Sequence, residues 1–337
     1  MSEKAPVRSA LHEYFRSAGA RFRERHGWLL PTECTGLTRE YEALREGCGA
    51  VDLSWEAQLL VHGAEAEDAV AALDRELSQL PIGGARRILV GDGPEREAAL
   101  FVRTGPAAFL ALAESFRAAQ LRRALLSGDR DVRIEDRRGR AAALLLLGPR
   151  VPRLVQEEFR EHLPRPLAPG NAALFPFHGF RSLLVPTEME ETPAAVFIGA
   201  APVVQHLLDE LRERGVTLVG TDAYECWRLE HGLPLAAEDV AKAREPWPPG
   251  TPCRLVSLIL EGPPSAEAVS EEEARCVQLA AWKRSPRLDG VVALAVIEDR
   301  ADVRPGAAVR VGGVRGNIVE PPLTQWRSNG DVDPEHP

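Results

Sequence analysis

Four prolines fall within nine residues in the string Arg244-Glu245-Pro246-Trp247-Pro248-Pro249-Gly250-Thr251-Pro252. Proline fixes φ and removes an amide donor, so no helix interior or central strand runs through such a string; it reads as a stiff linker. The pattern differs on its two sides. Before it, short strands and amphipathic helices alternate. After it the pattern is all β: 254–260, 276–282, 291–297 and 307–311 alternate or run apolar, and Gly312-Gly313 is a turn. A small barrel over about 251–323 fits this half. A chain of 337 residues exceeds what one compact core usually holds, so two or three domains are expected.

Upstream, residues 9–26 read as one amphipathic helix with Leu11, Phe15, Ala18 and Phe22 on one face, broken at Gly27 to Pro31. A second helix carries Tyr41, Leu44 and Arg45 and ends at Gly47. A short strand or turn follows at 50–54, then strands at 59–61, 87–90, 98–103, 108–112, 132–136 and 141–147, with helices at 64–73 and about 115–126 between them. A helix after Gly148-Pro149, a hairpin at 173–185, a strand at 196–198 and a helix at 202–214 complete the first part. Strand–helix–strand units with short loops predict α+β, ferredoxin-like packing rather than a doubly wound sheet.

The formal net charge of -9 excludes a general polyanion-binding role, and no nucleic-acid partner is expected. The arginine clusters 21/23/25 and 137/138/140 read as solvated faces. No apolar run reaches membrane-spanning length, and Met1 to Pro6 carry no apolar signal core, so no membrane partner and a cytoplasmic location are expected. The five cysteines, Cys34, Cys48, Cys226, Cys253 and Cys276, fit no metal spacing and read as reduced, mostly buried thiols.

A short punctuated helix stands out at 222–234. Asp222 is placed to cap it, with Glu225 at the capping-box position, while Gly232 and Pro234 end it. At helical spacing Tyr224, Arg228 and His231 share one stripe, and Ala223, Trp227 and Glu230 another. Glu230 therefore points inward beside Trp227 and needs an arginine or amide partner.

Three separated blocks resemble the glycine-cleavage T-protein (aminomethyltransferase) and YgfZ superfamily. They are Gly27-Trp28-Leu29-Leu30-Pro31 with Ala50-Val51-Asp52-Leu53-Ser54 and Val61-His62-Gly63-Ala64-Glu65-Ala66; Arg228-Leu229-Glu230-His231-Gly232-Leu233-Pro234; and Arg254-Leu255-Val256, Ser285-Pro286 and Pro305-Gly306. The resemblance implies a three-domain cloverleaf ring: two ferredoxin-like domains interleaved in sequence, plus a C-terminal β-barrel. It assigns about 1–53 and 140–235 to the first subdomain, 54–139 to the second, 251–325 to the barrel and 326–337 to a disordered tail.

The resemblance also implies tetrahydrofolate as ligand, with Trp28, Glu188, Glu191, Tyr224, Arg228 and Glu230 as binding residues. T-proteins carry their catalytic Asp in a strand of the form G-x-L-D-D-L. The matching stretch is Arg96-Glu97-Ala98-Ala99-Leu100, which places alanines at the aspartate positions and leaves Glu97 as the substitute carboxylate. Tyr224 stands where T-proteins have a folate-contacting Arg. The reactive-cysteine string of YgfZ-type proteins is absent. The missing Asp favours a YgfZ-like folate-binding protein accessory to iron–sulfur protein maturation, with iron–sulfur proteins as partners. The alternatives are an aminomethyltransferase passing a one-carbon unit to tetrahydrofolate, and a scaffold that has lost folate.

Overall fold

The computed structural model describes residues 5–90, 97–113, 118–163, 167–233, 237–245, 247–248, 250–265, 277–288, 290–299 and 303–323. Their contacts divide between two compact units, one ending at Ala223 and one beginning at Tyr224. Pro234, Pro246, Pro249, Cys276 and the tail at 326–337 lie outside the described residues.

The first unit opens with β1 (Val7–Arg8), α1 (His12–Ser17), β2 (Arg21–Arg25) and β3 (Trp28–Glu33). The single helix expected over 9–26 is thus a short helix followed by a strand. Gly19 turns the chain at φ +89°. From Arg21 the residues pair antiparallel with β3 instead of continuing the helix. His26 and Gly27 close this hairpin with φ of +50° and +76°, the two-residue turn that matches strand twist. Leu11 and Phe15 are nonetheless fully buried, as their shared face predicts.

There follow α2 (Leu37–Glu46), β4 (Gly49–Asp52), β5 (Ala57–His62), α3 (Ala66–Ala71), α4 (Arg75–Ser78), β6 (Ala85–Val90), β7 (Glu97–Gly105), β8 (Ala108–Ala113), α5 (Ala118–Leu125) and β9 (Arg133–Asp136). Next come β10 (Ala142–Leu147), α6 (Val151–Glu158), β11 (Ala173–Phe177), β12 (Phe180–Met189), β13 (Thr192–Gly199), α7 (Ala201–Glu213) and β14 (Thr217–Val219). Strands β11-β12-β13-β10-β4-β14 form a six-stranded sheet, and β6-β7-β8-β5-β9 a five-stranded one. The second sheet is built from residues lying between β4 and β10 of the first, so the two are interleaved in sequence.

Each sheet has its own core. Strand β10 is buried along its whole length, which explains why Ala142 to Leu147 is the longest apolar run: a central strand covered on both faces has no polar side to show. On one face Leu144, Leu146 and Phe197 pack with Phe159, Leu207 and Leu211 of the helical layer. In the five-stranded sheet Leu59, Phe101 and Phe109 pack with Val70, Leu121 and Leu125.

Helix α8 (Thr221–Glu230) spans the boundary, and the second unit continues with α9 (Ala237–Arg244), β15 (Cys253–Leu260), β16 (Val277–Ser285), β17 (Gly290–Glu298), β18 (Ala308–Val311) and β19 (Val314–Val319). The strands form one antiparallel sheet, β16-β17-β15-β19-β18, over a core containing Leu258, Leu260, Ala295 and Ile318. Val240 and Ala243 of α9 pack on Val296 together with Trp247, so a residue of the proline string joins the core. The fold is mixed α and β with mainly antiparallel sheets. No helix among the described residues is long and apolar enough to cross a membrane.

Candidate ligand-binding site

Helix α8 begins at Thr221, one residue before the expected cap, so Asp222 lies within the first turn rather than ahead of it. Glu225 at the capping-box position is instead paired with Lys283 of β16 at 2.9 Å. The C-terminal end is as the sequence predicts. Gly232 takes φ +72°, its amide donates to the Leu229 carbonyl at 3.1 Å, and the Leu233 amide donates to the Arg228 carbonyl at 2.8 Å. A Cβ at Gly232 would stand 2.5 Å from Pro321 Cγ, which is a second reason for glycine.

The inward stripe of α8 carries a buried network. Glu230 is 1% exposed; Ser285 Oγ donates to its Oε1 at 2.5 Å, and Arg287 Nε lies 3.9 Å from its Oε2. Arg287 in turn donates to the Leu323 carbonyl. This joins the second and third blocks of the resemblance through side chains. The Cys226 thiol also faces Glu230, 3.8 Å from Oε1. Burial, and then the Glu230 charge, push that thiol well above its ordinary range. On the other stripe the Arg228 guanidinium lies 5.7 Å from the Tyr224 ring centroid, a cation–π arrangement. The His231 ring stacks on Trp227 at 4.0 Å and its Nδ1 is 2.7 Å from the Trp227 carbonyl.

Trp28, Glu188 and Glu191 belong to the first unit. Trp28 opens β3, half-buried, opposite Arg25 and beside Val7. Glu188 and Glu191 are exposed at the β12–β13 hairpin. Laid on the T-protein string Y-T-G-E-D-G-x-E, residues Pro186 to Pro193 match at Thr187. Glu188 and Glu191 then stand at the two glycine positions, and Met189 and Pro193 at the two glutamates. Glu190 and Glu191 form the turn at φ +44° and +63°, left-handed values that glycine adopts freely and glutamate does not. Glu188 lines a cleft of about 440 Å³ in this unit, together with Val151, Val155, Arg160, Thr187 and Pro193. In β7, Glu97 is the first residue, opposite Val90. Ala99 packs in the core at 2% exposure, whereas Ala98 is half-buried and lies outside that cluster.

Two acids of the motif blocks, Asp52 and Glu65, hold the backbone, and a third that does so, Glu40, was missed by sequence reasoning. Asp52 is buried, with Oδ1 accepting from the Ser54 amide at 2.8 Å and Oδ2 from Ser9 Oγ at 2.5 Å. Glu40 is fully buried and accepts from backbone amides; its place in the first turn of α2 was the available signal. Glu65 accepts from the Asp131 amide at 2.6 Å, and a Cβ at the neighbouring Gly63 would overlap the Asp131 carbonyl. Among the described residues the thiols are not poised as nucleophiles. Burial pushes Cys48 up to about 12 and raises Cys34 and Cys253 as well.

A family model described as the GCVT N-terminal domain matches residues 11–182, just over half of the chain. The chain belongs to the GCVT family, the glycine-cleavage T-protein superfamily. This GCVT chain is 25% identical over 369 residues to an aminomethyltransferase of Saccharopolyspora erythraea, covering 94% of this chain and 96% of that one. It is 27% identical to an aminomethyltransferase of Rubrobacter xylanophilus, over 93% of this chain and 82% of the relative. Among solved structures, the glycine cleavage system aminomethyltransferase T of Bartonella henselae superposes with a TM-score of 0.75 at 18% identity, covering 96% of this GCVT chain and 99% of that one. That likeness concerns the fold.

Proposed function

We propose that this GCVT chain is an aminomethyltransferase-type protein that binds tetrahydrofolate and passes a one-carbon unit to it. The observation that carries the reading is the near end-to-end match to proteins named aminomethyltransferase, 94% of this chain against 96% of the Saccharopolyspora relative. The reading includes the three-domain ring with a C-terminal barrel, supported by the likeness to the Bartonella structure. It includes the interleaved subdomains at 1–53 with 140–235 and at 54–139, supported by two separate cores in the first unit. A cytoplasmic location goes with it, supported by the unpaired cysteines Cys34, Cys48, Cys226 and Cys253.

The predicted contacts differ in how well they fit a folate. The exposed carboxylates Glu188 and Glu191 suit acceptors for pterin N–H groups, and the half-buried Arg228 offers a cation, whereas Tyr224 is buried and backs that guanidinium rather than presenting an open face. Glu230 does not fit, because its carboxylate is enclosed and already committed to Ser285. Transfer needs a carboxylate near N5 to orient or take a proton, and Glu97 is the acid nearest the substituted positions in sequence. Titration with a tetrahydrofolate analogue, followed by tryptophan fluorescence or calorimetry, is expected to saturate. A flat titration sinks the reading.

Alanine at 98 and 99 favours a second reading, binding without transfer in the manner of YgfZ-type proteins accessory to iron–sulfur protein maturation. An aminomethyl-transfer assay separates the two. The first requires turnover that falls about 100-fold in Glu97→Gln. The second requires binding with no turnover in either protein.

A further inference from the structure

We infer that His178, His206 and Glu210 form a binding site for a divalent transition-metal ion of the zinc class on the first unit. Each offers one ligand atom, and the three atoms lie within 4.8 Å of one another. His206 and Glu210 are one helical turn apart on α7 and share a face, with Nε2 3.4 Å from Oε1. A tetrahedral zinc ion bound at about 2.0–2.1 Å keeps neighbouring ligand atoms about 3.4 Å apart, so this pair already spans one edge of the coordination polyhedron.

The third ligand comes from the turn between β11 and β12. His178 and Gly179 hold φ of +46° and +80° there. A two-residue turn of this kind favours Asn-Gly; here an imidazole occupies the first place. Its ring centroid is 4.5 Å from that of His206 at 85°, and Phe177 packs against it at 4.4 Å. Glu158, at the end of α6, is paired with Arg214 at 2.9 Å.

Two imidazoles and a carboxylate are a donor set suited to zinc and its late first-row neighbours. Both imidazoles are exposed, which gives an ion a path in and leaves a fourth position to water. A bound ion would tie the 177–180 turn to α7. The inference is independent of the folate reading, since none of the three residues is a predicted folate contact.

Calorimetry of the full chain with zinc, in a buffer without chelating components, tests it. One site per chain is expected, and the double variant His178→Asn/His206→Gln is expected to lose at least about 100-fold in affinity. Asparagine accepts the left-handed turn and both residues are exposed, so the variant keeps its fold, checked by circular dichroism. Cobalt in place of zinc is expected to show ligand-field bands without thiolate charge transfer. No uptake under excess zinc, unchanged uptake in the double variant, or a thiolate band with cobalt would each overturn the assignment.

Discussion

The buried carboxylate of Glu40 joins helix α2 to the residue that precedes α8: its Oε2 accepts the Gly220 amide at 2.8 Å. Its Oε1 accepts the amides of Cys34, Thr35 and Gly36 at 2.6, 2.5 and 3.1 Å. Both ends of the contact are constrained, because a Cβ at Gly220 would overlap the Thr32 carbonyl. Helix starts leave unpaired amides, and one carboxylate here serves two segments 180 residues apart. Glu40→Ala leaves these donors without their acceptor and is expected to cost about 3 kcal/mol or more. Glu40→Gln keeps an acceptor oxygen and is expected to cost less. Urea denaturation of the pair decides it; equal losses would show that volume, not the oxygen, matters.

Asp52 gives the first unit a pH dependence with a defined sign. Burial is the largest influence and raises its carboxyl above the ordinary 3.8, against the lowering hydrogen bonds of Ser54 and Ser9 and the nearby His12. The unfolded chain releases this proton near the ordinary value. Between the two values the folded protein binds more protons, so this group's contribution to stability is fully present below 3.8 and declines as pH rises through that window. Asp52→Asn removes the titration and retains an oxygen for the Ser54 amide. The unfolding free energy of the variant is expected to vary less with pH above 3.8 than that of the parent, measured by urea titration at several pH values. Parallel profiles would refute it.

Much of the fold was legible because apolar spacing reports burial directly: the α7 stripe and the β10 run both gave the right element. The 9–26 segment was not, since Leu11, Phe15, Ala18 and Phe22 keep helical spacing across Gly19, and only pairing with β3 shows that Phe22 lies on a strand. The partners of Glu230 and Glu40 were not legible either. Ser285 and Gly220 lie 55 and 180 residues away, and spacing along one helix says only that an acid points inward, not what meets it. The register of the acidic hairpin became plain once the turn was fixed at Glu190 and Glu191.

That turn supports a stabilising substitution. Glu191 holds φ +63° with a Cβ, a conformation that costs an L-residue about 1–2 kcal/mol. Glycine removes the steric cost and gives back part of the gain in unfolded-state entropy. Glu191→Gly is expected to stabilise by about 0.5–1 kcal/mol, read from the denaturation midpoint. A lower midpoint would mean that the glutamate makes a compensating contact.

The carboxylate requirement can be tested by moving the acid along β7. Strand residues alternate faces, so Ala98 and Ala99 are not equivalent sites for an aspartate. Ala99 is packed with Phe101 and Phe109, and a carboxylate there would be buried without a partner, at a cost of several kcal/mol. Ala98 is half-buried outside that cluster and tolerates the change. If Glu97 supplies the carboxylate for transfer to tetrahydrofolate, Glu97→Gln loses turnover and the double variant Glu97→Gln/Ala98→Asp does not recover it, since residues 97 and 98 of β7 face opposite sides of the sheet. The expected loss is about 100-fold or more in both variants, because a positioned acid–base group contributes about that much. A double variant that binds the folate analogue as the parent does and regains turnover would show that the working carboxylate belongs on the face of Ala98, the first aspartate position of the T-protein strand, and not at Glu97.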